Sequence, residues 1–167
     1  MSTQLLARSS ALPTICGIQL AFTGRMNPSD IPGYQAFFNA IPEGTDFTDA
    51  YFGRGSVSFS EGSEESSSGT SYRQQLRIIF PASDSARADR LALFQKVKFV
   101  KILLSNSLHI VIGRNDVEQN ARPRIKSETD HRTATVTFET VSVFPSGYTP
   151  APGGLPSLIP IDLNNDD

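Results

Sequence analysis

The chain has 167 residues, and its 15 lysines and arginines against 17 aspartates and glutamates leave a formal net charge of −2. Such a balance gives no bulk attraction to nucleic acid or to an anionic membrane. The only cysteine, Cys16, excludes an intrachain disulfide and a cysteine-based zinc site. The first 22 residues contain no apolar run long enough for a signal peptide or a membrane span, so we expect a protein made in the cytoplasm.

The composition favours a single β-rich domain. Only 38% of the residues are hydrophobic and 19% are charged, and the remainder is rich in the Ser, Thr, Gly and Pro of loops and turns. The length suits one domain with a core of its own. We predict an N-terminal arm over residues 1–14, a β-rich domain over residues 15–148 and an extended Pro-rich C-terminal arm over residues 149–167.

The first half of the domain predicts three strands. Residues 15–22 form the first, and residues 34–41 fit a helical turn and a strand equally well. Residues 55–60 and 72–80 alternate apolar and polar side chains, which indicates the two strands of a hairpin. Residues 61–71 between them contain no apolar side chain. They therefore predict a solvent-exposed loop tip, either plainly solvated or ordered against a neighbouring subunit.

One helix is predicted over residues 83–96, after Pro81 has ended the preceding strand. Ser83 is a candidate N-cap, and Asp84 suits the positive end of the helix dipole. We expect one face to pack on a sheet. The residues of that face are Ala88, Leu91, Ala92 and Phe94.

The second half predicts four more strands. Residues 97–104 are apolar on both parities, which indicates a central strand covered on both faces, and residues 108–113 return beside it. Residues 124–127 and 132–144 predict the last two strands. In residues 132–144 the apolar positions change parity after Glu139, which predicts a β-bulge or a twist near residues 139–140.

The residues after 144 include five prolines and spaced apolar side chains. Such a segment suits an extended arm that lies in a groove on a partner, and a disordered tail is the alternative. We expect residues 150–167 to be dispensable for folding and needed for assembly.

Residue types that could support chemistry are scattered. Cys16, His109 and His131 are candidates for a nucleophile and a base, but no motif relates them to one another or to a carboxylate. The acidic residues near positions 61–65 and at the C-terminus lack the spacing of a calcium loop. We therefore expect no enzyme, no metal site and no cofactor.

A basic group of five residues falls within nineteen positions around the last two predicted strands. No aromatic residues interleave with it, so a platform for single-stranded nucleic acid is not favoured. Salt bridges to a neighbouring subunit and simple solvation remain the main alternatives. The members are Arg114, Arg122, Arg124, Lys126 and Arg132.

The order of elements is a hairpin with a long polar tip, one helix and then four strands, with apolar-studded arms at the ends. This order resembles the β-roll-plus-helix module of tailed-phage tail proteins such as tail tube and distal tail proteins. The segment LHIVIGRNDVEQNARPRIKSETDHRTATVTFETVSVFPSGY is similar in style to small tail-associated proteins of phages and prophages from Bacteroidota. The resemblance implies a ring-forming, non-enzymatic virion component. In such modules the helix packs outside the sheet, and the long loop and the termini reach adjacent subunits.

Two other classes compete with this interpretation. A capsid decoration protein shares a β-rich body and gripping termini. A carbohydrate-binding or adhesin-like β-sandwich usually displays Trp or Tyr as stacking platforms, and this chain has no Trp and four Tyr.

The sequence thus predicts a mainly β protein, with a rolled sheet, β-barrel or sandwich and one packed helix. Its expected partners are copies of itself in a ring, with a hexamer as one option, and other virion proteins. Neither a membrane nor a specific nucleic acid sequence is expected as a partner. The residues expected at subunit contacts are Glu61, Glu64, Glu65, Arg114, Arg122, Arg124, Lys126, Arg132, Leu155, Leu158, Ile159 and Ile161.

Overall fold

The structure is a computed structural model that describes residues 13–25, 44–50, 56–113, 122–142, 145–146 and 148–149. Predictions for residues 34–41 and for the arms beyond these ranges lie outside the described residues. The described elements are, in chain order, β1 (Ile15–Ala21), β2 (Thr48–Asp49), β3 (Val57–Ser66), β4 (Gly69–Pro81), α1 (Arg87–Phe94), β5 (Phe99–Leu104), β6 (His109–Ile112), β7 (Arg124–Thr129), β8 (Thr133–Ser142) and β9 (Tyr148–Thr149).

The strands form two antiparallel sheets that share one core. The first has five strands in the order β2-β1-β5-β6-β9, and the second has four in the order β3-β4-β8-β7. Ile18 and Ile102 of the first sheet belong to the same buried cluster as Leu76 and Phe138 of the second. The predicted mainly β fold is confirmed. The described strands make a sandwich and do not close into a barrel.

Strand β5 is central, as its two-sided apolar pattern predicts. Val100 and Ile102 point into the shared core, whereas Phe99 and Lys101 alternate with them and lie on the outer face. Both outer residues are nevertheless buried, with 1% and 7% of their surface exposed. The five-stranded sheet is therefore covered on both faces around β5.

The predicted bulge near residues 139–140 is wrong. Strand β8 pairs with β4 in unbroken register from Thr133 to Ser142. The inward row that begins with Ala134 continues through the polar but buried side chains of Thr140 and Ser142, and the apolar Val141 lies outside with 45% of its surface exposed. The apparent change of parity reflects an exchange of polar and apolar residues between the faces of a regular strand.

The predicted loop tip at residues 61–71 is also wrong in its conformation. β3 and β4 pair rung by rung up to Ser66 and Gly69, so Ser67 and Ser68 alone make the turn. Gly69 has a φ of +120°, which favours glycine at this position. Backbone hydrogen bonds across a ladder need no apolar side chains, which explains how a Ser- and Glu-rich segment forms strands. Its solvent exposure agrees with the prediction.

The helix exists but is shorter than predicted. It begins at Arg87, after the N-cap residue Ala86, and no side chain caps it. Ser83 is therefore not the cap. The Asp84 carboxylate instead accepts a hydrogen bond from the Ala86 N–H at 3.1 Å and pairs with the Arg90 Nε at 2.8 Å.

One ring anchors the helix to the sandwich. Phe94 is the buried residue of α1, and Leu91 is half-buried, whereas Ala88 and Ala92 of the predicted apolar face are exposed. The Phe94 ring lies 6.1 Å from that of Phe80 and 5.9 Å from that of Phe138, centroid to centroid. The predicted packing of the helix on a sheet is thus correct, through fewer residues than expected.

Candidate assembly interface

The outer face of the four-stranded sheet is polar and exposed to solvent. Register places Ser60, Gln75, Glu139 and Arg124 side by side in one row across the four strands. The neighbouring row contains Ser58, Arg77, Thr137 and Lys126. All of these side chains are exposed or half-buried. This face contrasts with the covered outer face of the five-stranded sheet.

The two edges of this sheet carry opposite charge. Edge strand β3 contains Glu61, Glu64 and Glu65, all exposed, and has no basic residue. Edge strand β7 contains Arg124, Lys126 and Glu128, all exposed, and its net charge is +1. Register places Glu64, Arg124 and Lys126 on the same, outward face. Residues predicted as subunit contacts thus lie at both edges of one sheet.

Ion pairs on this face are local and exposed. Arg73 lies 2.6 Å from Glu139 and 3.8 Å from Glu64, and Lys126 lies 2.6 Å from Glu128. The hydrogen bond and the charge of Lys126 lower the pKa of Glu128, and Glu128 in turn raises the pKa of Lys126. Exposed pairs of this kind contribute little to stability.

Three charged residues at the edges have no ion pair with any described residue. They are Arg124, Glu61 and Glu65. The Glu61 carboxylate accepts a hydrogen bond from the Ser146 N–H at 2.6 Å, which ties the chain after β8 to the edge strand β3. Of the three, the exposed Arg124 and Glu65 are therefore available to a partner.

The predicted basic group does not form one patch. Arg122 donates to the Lys96 carbonyl oxygen at 2.6 Å, just beyond the end of α1. Arg132 is exposed in the turn between β7 and β8. Only Arg124 and Lys126 share a face, and the other predicted contact residues, Arg114, Leu155, Leu158, Ile159 and Ile161, lie outside the described residues.

Both edges of the four-stranded sheet are open in the described part of the chain. No described strand pairs with the far side of β3 or of β7. Beyond the rung that joins Tyr72 to Ser142, β3 and β4 continue for three more rungs, and no other described residue pairs with them there. We call residues 64–71 the ribbon tip. An open edge offers unpaired backbone groups that a strand of another molecule can satisfy.

The residues considered for catalysis are not assembled into a site. The Cys16 thiol donates to the Leu103 carbonyl oxygen at 3.4 Å, and β5 separates its strand from that of His109. His131 lies in an exposed turn of the other sheet. Among the described residues no group of three His, Cys, Asp or Glu could hold a metal ion. None of the helices described here has the length and apolarity needed to cross a membrane.

Sequence reasoning missed one unusual residue. Lys101 is buried on the outer face of the five-stranded sheet, and its Nζ lies 4.2 Å from the centroid of the Phe47 ring. Burial lowers the pKa of its ammonium group. The available signal was a charged residue in the middle of a strand that is apolar on both parities.

Comparisons with known proteins found no family model, no curated protein and no solved structure that matches this chain.

Proposed function

We propose that this protein is a self-assembling structural subunit that forms rings, as a tail component of a tailed phage. The observation that carries the proposal is the opposite charge of the two open edges of one sheet. An acidic edge and a basic edge on the same molecule favour a head-to-tail contact between copies. Head-to-tail contacts produce a ring when the rotation between copies closes.

Strand direction supports the same contact. All pairings in the four-stranded sheet are antiparallel, so β7 runs opposite to β3. When β7 of one copy meets β3 of the next, the new pair is therefore antiparallel as well. A sheet with an even number of antiparallel strands can be extended in this way without a change of pattern. The joined sheet keeps one polar face and one face on the sandwich cores.

Charge suggests the register of the contact. Arg124 lies in the row of Ser60, and Glu64 lies four residues further along β3 on the same face. A stagger of four residues, about 14 Å along the strand, brings Arg124 opposite Glu64 of the next copy. Closing a sheet into a barrel requires a stagger of this kind between neighbouring strands.

The ribbon tip gives the contact additional reach. A two-stranded ribbon is marginally stable alone in water, so contact with a neighbour would stabilise residues 64–71. The element order that resembles phage tail modules supports a virion as the setting.

Charge exchange between the edges tests the proposal. Wild type, Glu64→Lys, Arg124→Glu and the double variant would be compared by light scattering coupled to size exclusion and by electron microscopy. We expect rings for wild type and weakened assembly for each single variant. The double variant should assemble again, because its edges once more carry opposite charges at this contact. A mixture of the two single variants should also assemble, because copies in alternating order pair opposite charges at every contact.

Asp89→Lys is the matched control, because Asp89 is exposed on α1 and belongs to neither edge strand. It should assemble like wild type. A strictly monomeric wild type would overturn the proposal. Unchanged assembly of Arg124→Glu would overturn the edge contact, and rings that never occur in a tail-like particle would overturn the phage setting.

A further inference from the structure

Two basic side chains, Lys101 and His109, lie close together on the outer face of the five-stranded sheet. Register places Lys101 opposite Val111 and His109 opposite Leu103, so the two basic side chains are diagonal neighbours on one face. Lys101 is 7% exposed, and His109 is half-buried. Diagonal neighbours across antiparallel strands are within reach of long side chains.

No described carboxylate pairs with the Lys101 ammonium, whose near neighbour is the Phe47 ring. Asp49 is on the same sheet, but its Oδ1 accepts a hydrogen bond from the Gln19 Nε2 at 2.9 Å. Asp49 lies on β2, three strand spacings or roughly 14 Å from β6. The other titratable groups described near this face include Cys16, the exposed Asp46 and Lys98, whose Nζ lies 5.7 Å from the centroid of the Phe99 ring.

We propose that Lys101 and His109 form an acid-sensitive pair that controls the attachment of residues 44–50 to the five-stranded sheet. Protonation of His109 places a second positive charge beside a buried ammonium in surroundings that hydrate charge poorly. Lifting the cover exposes Lys101 to more water and relieves this repulsion. Phe47 belongs to that cover, with its ring centroid 4.2 Å from the Lys101 Nζ.

Among the described residues, an edge strand and single hydrogen bonds attach the covering segment. β2 contributes two residues at the edge of the sheet and pairs with Gln19 and Leu20. The Ala50 N–H donates to the Ile18 carbonyl oxygen at 2.9 Å, and the Thr23 hydroxyl donates to the Gly44 carbonyl oxygen at 3.0 Å. A short edge strand with few bonds opens at lower free energy than the central strands.

The direction of the pH effect follows from the charge. Burial, and to a lesser extent the charge of Lys101, hold the pKa of His109 below its usual 6.5. The unfolded or opened state then binds the proton more readily than the closed state. Closure is therefore complete above about pH 6.5 and weakens as pH falls from there toward the lower pKa of the closed state.

Hydrogen exchange tests the pair, measured from about pH 7.5 to about pH 5 and corrected for intrinsic rates. We expect exchange at residues 44–50 of the wild type to become faster as pH falls below 6.5. The rate should rise by at most roughly tenfold for each pH unit that separates the His109 pKa of the closed state from 6.5. His109→Gln should remove this dependence. Exchange within β4 and β8 provides the internal control and should not show this pH dependence.

An NMR titration of the His109 imidazole gives an independent measurement in the unaltered protein. We expect a pKa below 6.5 in wild type and a higher value in Lys101→Met or Lys101→Gln. A wild-type pKa at or above 6.5 would overturn the proposal, whether or not the variants fold. The same pH-dependent exchange in His109→Gln would also overturn it.

Discussion

The two sheets of this sandwich differ in what lies on their outer faces. Around β5 the five-stranded sheet buries both faces, including Phe99, Lys101 and Val111 on the outside. The four-stranded sheet buries one face and presents rows of Ser, Thr, Arg and Glu on the other. Stability is thus concentrated in the first sheet and in the shared core. In the part of the chain that the structure describes, the outer face of the second sheet is exposed and both of its edges are unpaired.

The two outer faces differ in how freely their residues can vary. A strand buried on both faces tolerates few polar residues, because each must find a partner or carry a cost. A strand with a wet face can change its outward residues with little effect on stability. Charge that determines a contact can therefore be placed on β3 and β7 without disturbing the core.

The largest expected effect comes from removing a side chain on the covered outer face. Phe99→Ala should lower the free energy of unfolding by about 3–5 kcal/mol, because it leaves a cavity where a fully buried ring packs. Denaturant unfolding measures the change. Thr137→Ala, at an outward position of the other sheet, should change stability by less than about 0.5 kcal/mol. Similar losses in both variants would contradict the contrast between the two faces.

A smaller effect of opposite sign is expected at Lys101. Lys101→Met keeps the aliphatic stem and removes the buried charge, so it should raise the free energy of unfolding at neutral pH by about 1–3 kcal/mol. The lowered pKa of Lys101 also means that wild type gains stability as pH rises from the folded-state pKa toward 10.5. Denaturant unfolding of Lys101→Met should show no such rise in stability with pH. If Lys101→Met is less stable than wild type at neutral pH, the buried charge of Lys101 does not destabilise the fold.

The exposed ion pair on the wet face should contribute less. A double-mutant cycle with Arg73→Ala and Glu139→Ala should give a coupling energy of about 0.2–1 kcal/mol. It should decrease at high salt, since exposed charges are screened. Thermal unfolding at two salt concentrations measures it. A coupling well above this range would mean that the outer face also stabilises the fold.

The smallest effect is expected at the turn between β7 and β8. The Asp130 carboxylate accepts hydrogen bonds from the N–H groups of Thr133 and Arg132, which lower its pKa. Its contribution is therefore present above about pH 3.9 and is lost as pH falls through the lower folded-state pKa. Asp130→Ala should flatten this acid limb slightly in thermal unfolding, and an unchanged acid limb would contradict the role of these hydrogen bonds.

Sequence patterns predicted the strands that bury apolar side chains at regular intervals. The burial of β5 on both faces and the alternation of β4 were predicted because buried positions require apolar residues, which leaves a regular pattern in the sequence. The strand pairing of the ribbon tip was not predicted, since backbone hydrogen bonds join residues 64–71 and require no particular pattern of side chains. The predicted bulge failed because Thr140 and Ser142 occupy inward positions that parity reserves for apolar residues.

The candidate interface was predictable in composition but not in arrangement. Glu64 and Arg124 were both expected at subunit contacts from charge alone, and only the strand order places them at opposite edges of one sheet. Lys101 had no recognisable motif. Its partner Phe47 is 54 positions away in the sequence, and that proximity comes from the packing of residues 44–50 on the sheet.

The unbroken register of β8 limits how the length of this chain can vary. Inserting or deleting one residue between Thr133 and Ser142 would turn every following side chain to the opposite face and bury the outward row. The turn at Ser67 and Ser68 is free of this restriction, because adding residues in pairs there lengthens the ribbon and preserves both faces. Among relatives of this protein, differences in length should therefore accumulate in even numbers at the ribbon turn, while β8 varies by substitution alone.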